Sequence, residues 1–273
     1  MLNHLRKILF LSLSILAVLS VSAHAENTVG PNSEDIDRSR PQTEDKNWNF
    51  ELGLGVMYGP KYEGSDNYTL SPFPNISVEY KNGLFFVDGG DGIGSYFLQD
   101  ENYKLGASIG FAMGRDEDDD KENLRGMGDI DTGAVGNLMG EYDFGPITIS
   151  GKLTKGNEDY GMTAEADIGK MFSVSEKLMV MAKIGIKWAD EDHMTTYFGV
   201  SPTQAARSGY TRYEVDSGFQ SVGVSVGAFY NLTESWDVML MVNADQLIGD
   251  AADSPITKQE FQPMVVLGTS YKF

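Results

Sequence analysis

From Trp48 to Tyr58 the chain places a large apolar side chain at every second position: Trp48, Phe50, Leu52, Leu54, Val56 and Tyr58 alternate with Asn49, Glu51, Gly53, Gly55 and Met57. Successive side chains of a β-strand point to opposite faces, so this spacing makes a ribbon that is apolar on one side and mainly small or polar on the other. A helix would scatter the same residues around its circumference. The pattern returns in Tyr103 to Met113, in Leu178 to Trp188 and in the terminal segment, where Phe261, Val265, Leu267, Tyr271 and Phe273 share a face. Weaker copies occupy Phe73 to Lys81, Leu84 to Asp88, Ile93 to Leu98, Ile130 to Phe144, Ile147 to Lys155, Met162 to Phe172, Val215 to Tyr230 and Trp236 to Ile248, which brings the total to 12 strands. The link Gly89-Gly90-Asp91-Gly92 fits either a tight turn or one bent strand.

An apolar face of this kind must cover either a protein core or a lipid slab, and the connections select lipid. Short links (Asn82-Gly83, Gln99 to Asn102, Gly145-Pro146, Ser173 to Glu176, Asn231 to Ser235) alternate with longer ones (Gly59 to Leu70, Gly114 to Asp129, Gly156 to Gly161, Asp190 to Glu214, Gly249 to Glu260). Membrane barrels have short periplasmic turns and long outer loops. Trp48, Tyr80, Tyr103, Tyr142, Phe144, Phe172, Tyr230, Trp236, Tyr271 and Phe273 fall near the strand ends assigned to the periplasmic side, and Tyr58, Phe111, Trp188 and Phe261 toward the other. Two aromatic girdles match the two headgroup levels of a bilayer.

The start of the chain agrees. Arg6 and Lys7 precede an apolar stretch from Ile8 to Val21, and Ala23-His24-Ala25 is a small-x-small cleavage site, so residues 1–25 read as a secretory signal peptide. The apolar stretch is shorter than the roughly 20 residues a membrane-spanning helix needs. With no cysteine, the exported chain carries no lipidation site and no disulfide. Glu26 to Asn47 has almost no large apolar residue and reads as a disordered periplasmic lead-in. Cleavage removes Arg6 and Lys7 and takes the formal net charge from −19 to −21, which argues against nucleic acid as a partner. The expected architecture is therefore all-β: a transmembrane antiparallel up-and-down β-barrel over residues 48–273, in the outer membrane of a Gram-negative bacterium. Outer-membrane lipid and lipopolysaccharide surround it, and Tyr271 and Phe273 form the signal that the barrel-assembly machinery reads.

Four segments resemble the MipA/OmpV family of outer-membrane proteins: Gly53 to Pro74 (GLGVMYGPKYEGSDNYTLSPFP), Gly114 to Asp131 (GRDEDDDKENLRGMGDID), Tyr197 to Gly209 (YFGVSPTQAARSG) and Leu247 to Pro255 (LIGDAADSP). The resemblance spans essentially the whole mature chain and implies an outer-membrane barrel without established enzymatic activity or cofactor. It also implies a scaffold that joins a lytic murein transglycosylase to a penicillin-binding protein. Other members of such a family are associated with adhesion, osmotic response or antibiotic uptake. No family motif marks contact residues, so none is carried over.

The remaining clusters have plainer readings. Arg115 to Glu122 (RDEDDDKE), with Asp129 and Asp131, has the oxygen density to bind calcium or magnesium or to bridge through such ions to lipopolysaccharide phosphates, but it lacks the EF-hand glycine and spacing. It reads as a solvated, self-repelling loop, and so does Asp190-Glu191-Asp192. Ser201-Pro202 followed by Thr203 to Arg207 has an N-cap serine and an N1 proline, so a short helix is expected in the long outer loop. Once His4 and His24 leave with the signal, His193 is the remaining histidine. It sits in a loop with no serine nearer in sequence than Ser201, which disfavours a surface lipid or glycan hydrolase. Glu51, Glu79, Lys104, Asp131, Glu141, Lys152, Glu165, Asp167, Lys183, Lys187 and Asp245 are expected to face the lumen. Their mixed signs fit an internal ion-pair network, with a narrow channel for small solutes as the alternative.

Overall fold

The computed structural model describes residues 47–157 and 160–273. The signal peptide with Ala23 and Ala25, and the lead-in up to residue 46, lie outside the described residues. Twelve strands form one closed antiparallel barrel in sequence order: β1 (Trp48–Pro60), β2 (Tyr68–Tyr80), β3 (Phe85–Asp88), β4 (Gly92–Asp100), β5 (Tyr103–Ala112), β6 (Gly133–Asp143), β7 (Thr148–Lys155), β8 (Met162–Ser173), β9 (Leu178–Ala189), β10 (Gly218–Asn231), β11 (Trp236–Leu247) and β12 (Phe261–Lys272). The last strand closes on the first, from Glu51 opposite Lys272 to Tyr58 opposite Val265. The glycine link at Gly89–Asp91 is a true turn between two strands, with Gly92 at φ 84°. β2 starts five residues before the expected Phe73, because Pro72 and Pro74 conceal a strand that has a neighbour along only part of one edge.

The alternation places the large apolar residues outside. Leu54, Ile109, Phe111, Ile184 and Leu267 are exposed, whereas Gly55, Gly106, Asn137 and Ser270 between the strands' outward positions are buried. A water-soluble barrel would bury the first set. At the end with short turns, Trp48 packs on Tyr80 (4.6 Å between centroids) and Trp236 on Tyr271 (5.2 Å), and Tyr271 meets Phe273 edge-on. At the loop end Tyr58 stacks on Tyr68. Among the described residues no helix is long and apolar enough to cross a membrane.

The longer connections carry helices. The 3-10 turn Glu117–Asp120 lies between β5 and β6. Helices α1 (Glu191–Phe198) and α2 (Pro202–Ser208) lie between β9 and β10, and α3 (Gly249–Asp253) between β11 and β12. The expected helix after Ser201 is present, with the Ser201 hydroxyl accepting from the Gln204 amide and the Gln204 side chain returning to the Ser201 amide. Helix α1 was not expected. Asp190-Glu191-Asp192 is its N-terminus rather than a solvated loop, and the Asp190 carboxylate accepts from the His193 amide at 3.0 Å.

Candidate functional site

The lumen and the cap over its loop end are where inward residues of all strands converge. Most of the expected lumen carboxylates and lysines do point inward, and the strand register brings opposite charges together. Glu165 on β8 lies directly across from Lys152 on β7 and from Lys187 on β9, and Lys104 on β5 is across from Glu141 on β6. The Lys152 ammonium reaches the buried Asp91 carboxylate at 2.7 Å, and Lys272 pairs with Asp237. Asp131 is the exception: it precedes β6 and is exposed in the loop, because the strand begins only at Gly133.

The lumen is less polar than the sequence suggests. Met181, Phe229, Met239, Met241, Met264 and Val266 form a buried cluster, with Met57, Phe73, Met171 and Met179 packed on it. These side chains occupy inward positions on seven strands. Unbranched thioethers fill irregular space between them. Small residues opposite make the fit: a Cβ on Gly55 would come within 2.3 Å of the Phe73 ring. A second buried group, Phe86, Tyr96 and Met139, fills the side under β3 and β4.

Over the loop end the connections pack into a cap with its own core. Met194, Tyr197 and Phe198 of α1 meet Ala189, Val215, Leu247 and Ala251, and beside them Met127, Val200 and Ile256 form a smaller cluster. Fully burying Phe198, Leu247 and Ile256 contributes on the order of 1.5–3 kcal/mol each. Hydrogen bonds tie connections that are far apart in sequence: Tyr62 Oη donates to the Ile256 carbonyl (2.7 Å), Ser254 Oγ to the Phe198 carbonyl (2.6 Å), Arg115 Nη1 to the Tyr197 carbonyl (3.1 Å) and Gln204 Nε2 to the Met127 carbonyl (2.7 Å). A bulge on β10 leaves Gln220 as an extra residue between Phe219 and Ser221, and its side chain turns in to donate to Glu63.

The acidic stretch is part of this cap and not a free loop. Asp120 is buried and accepts from Ser65 Oγ (2.9 Å), Asn67 Nδ2 (3.1 Å) and Asn123 Nδ2 (3.1 Å). Burial raises its pKa, but those three donors outweigh burial and hold the carboxyl below its usual range. Glu117 is held low by backbone amides of Gly126 and Gly128. Among the described residues no group of three or more histidine, aspartate or glutamate side chains is arranged to hold a metal ion.

His193 lies on α1, fully buried, with Nδ1 at 2.9 Å from the Tyr160 carbonyl oxygen and its ring stacked on Tyr197. Burial, then the nearby Lys187 charge, pull its pKa down to about 4, so it is neutral at pH 7. Burial and then the Glu63 charge push Tyr197 up to about 12.

The family model for the MltA-interacting protein MipA matches residues 52–273. The chain belongs to that family. Two MipA relatives, each named MltA-interacting protein, come from Escherichia coli (strain K12) and Shigella flexneri, and each is 24% identical over 231 residues, covering 82% of this chain and 90% of the relative. Among solved structures, this MipA-family barrel is similar to an outer membrane channel from Pseudomonas putida F1 (13% identity, 86% of this chain and 100% of that one, TM-score 0.48). It is also similar to the NanC porin (9% identity, 82% and 100%, TM-score 0.46).

Proposed function

We propose that this protein is a non-enzymatic outer-membrane scaffold that joins a lytic murein transglycosylase and a penicillin-binding protein on its periplasmic side. Membership in a family whose relatives are named for an interaction with MltA carries the reading. The packed cap fits it, since the long connections are committed to one another, while Val174 and Leu232 stand exposed in the short turns at the opposite end. His193, enclosed under the cap, is poorly placed to serve a surface hydrolase. Tyr271 and Phe273 act as the assembly signal, and residues 1–25 as the export signal.

The mature chain in lipid nanodiscs, titrated by interferometry against a purified lytic murein transglycosylase, gives saturable binding that a Val174→Asp, Leu232→Asp variant weakens. Absence of binding to the transglycosylase and to a penicillin-binding protein alike would overturn the scaffold. The charged ladder Lys152, Glu165 and Lys187 favours a second reading as a narrow solute channel. Planar-bilayer recordings separate the two, because a scaffold with a filled lumen is silent.

A further inference from the structure

The barrel wall is incomplete on one side. β1 meets β2 along its whole length, from Trp48 opposite Tyr80 to Pro60 opposite Tyr68, whereas β3 meets β2 only at Val78, Glu79 and Tyr80. The β3–β4 hairpin turns back at Gly89–Asp91, and β4 stays with β5 only as far as Ile109. Among the described residues nothing pairs with the far edge of β2 from Tyr68 to Ser77. Above the hairpin the next strand is β5, three strand spacings away, or about 14 Å along the wall. The Asp120 hydrogen bonds to Ser65 and Asn67 bridge the β1–β2 and β5–β6 connections and roof the gap.

The sequence is adapted to that open edge. Lys81 donates its amide to the Asn47 carbonyl on the β1 side, so odd residues of β2 bond toward β1 and even ones turn away. The even residues along the open stretch include Pro72 and Pro74, which have no N–H to leave unsatisfied in hydrocarbon. Prolines at those two places also prevent another strand from completing the sheet, which argues against a second copy or a peptide as occupant. Leu70, Ile93, Ile109 and Phe111 surround the gap as highly exposed apolar side chains continuous with the lipid-facing belt. Behind it stand Ser71, Phe73 and Asn75 of β2 and the small Gly110 and Ala112 of β5, and Phe73 leads directly onto the methionine cluster.

We infer that this gap is a lateral window through which the acyl chain of a bilayer lipid enters the lumen and rests on the apolar surface of Phe73 and the methionines. A barrel read only as a scaffold does not require such an entry; the inference rests on the barrel lying in a bilayer and on nothing about its protein partners. The natural absence of cysteine gives a direct test. Single variants Ser71→Cys and Asn75→Cys (inward, behind the window), Leu70→Cys (outward, at its rim) and Ser225→Cys (inward, on β10) are labelled with bimane in the full mature chain. Each is reconstituted in phosphatidylcholine vesicles whose acyl chains are brominated at mid-length, and its fold is checked by heat-modifiable gel mobility.

Quenching at Ser71 or Asn75 close to that at Leu70, and several-fold above that at Ser225, is the expected result. Quenching at both inward β2 sites no greater than at Ser225 would refute the window while Leu70 still reports bilayer residence. Loss of quenching at Leu70 would remove the bilayer premise itself. Disulfide-linked dimers through Leu70→Cys would identify a second copy as the occupant and overturn the proposal.

Discussion

Acidification should loosen the cap through His193. Its native pKa of about 4 lies below the ~6.5 of an exposed imidazole, so the folded cap binds fewer protons than the opened one. The stabilisation is therefore complete above pH 6.5, declines as pH falls below that value, and is lost by pH 4. Across this window the difference is about 2.5 units, or roughly 3 kcal/mol, corresponding to about a 300-fold change in the opening equilibrium. The groups facing the ring are Tyr160, Lys187, Asp190, Tyr197 and Glu63. The Glu63 carboxylate favours the imidazolium and moderates the effect, while the Lys187 charge disfavours the imidazolium and strengthens it. Hydrogen exchange of the mature protein in nanodiscs, corrected for intrinsic rates, reads this out as faster exchange across residues 190–217 and 249–260 at pH 4.5 than at pH 7.5. The amides of β10 to β12 stay protected. His193→Phe keeps an aromatic ring against Tyr197 but cannot titrate, so its cap exchange loses most of the pH dependence. If the variant and the parent show the same pH slope, the histidine is not the titrating group and the reasoning fails.

Three further substitutions probe the same architecture. Asp120→Ala removes the carboxylate on which Ser65, Asn67 and Asn123 converge; the cap should lose about 3 kcal/mol, and protease should cut within residues 113–132 while the barrel survives. Gly161→Ala places a Cβ 2.3 Å from Asp190 Oδ1 and 2.4 Å from the His193 amide at a φ of 70°, so it should displace the start of α1, with exchange across 190–198 as the readout. Lys152→Met leaves Asp91 buried without its lysine and should cost about 3 kcal/mol in urea unfolding of the reconstituted barrel, an effect that Asp91→Asn in the same chain partly reverses.

The strands were legible because a period of two survives whatever a strand packs against, and the girdle residues repeat the same information at the strand ends. The lumen was harder. Met57, Met264 and Val266 occupy inward positions, but alternation says only which side a residue faces and not whether the interior is wet or filled. Helix α1 had a signal that charge obscured: Asp190 can cap, acids fill the first turn, and His193, Met194, Tyr197 and Phe198 recur at helical spacing on one face. The acidic segment Arg115 to Glu122 looked self-repelling because its partners Ser65 and Asn67 come from a connection more than fifty residues earlier, which local charge density does not reveal. Pro72 and Pro74 broke the expected start of β2 for the reason that makes them informative, since they mark an edge rather than an end.

The methionine cluster gives the interior a chemical weakness that an aliphatic one would lack. Seven of the chain's thirteen methionines are packed together: Met57, Met171, Met179, Met181, Met239, Met241 and Met264. A peroxide or hypochlorite that reached them would convert thioethers into polar sulfoxides, each demanding solvation that a packed apolar interior does not offer. Water would follow, and a filled barrel would become a hydrated one without any change in its strands. Reduction by methionine sulfoxide reductases would reverse the chemistry and let the thioethers pack again.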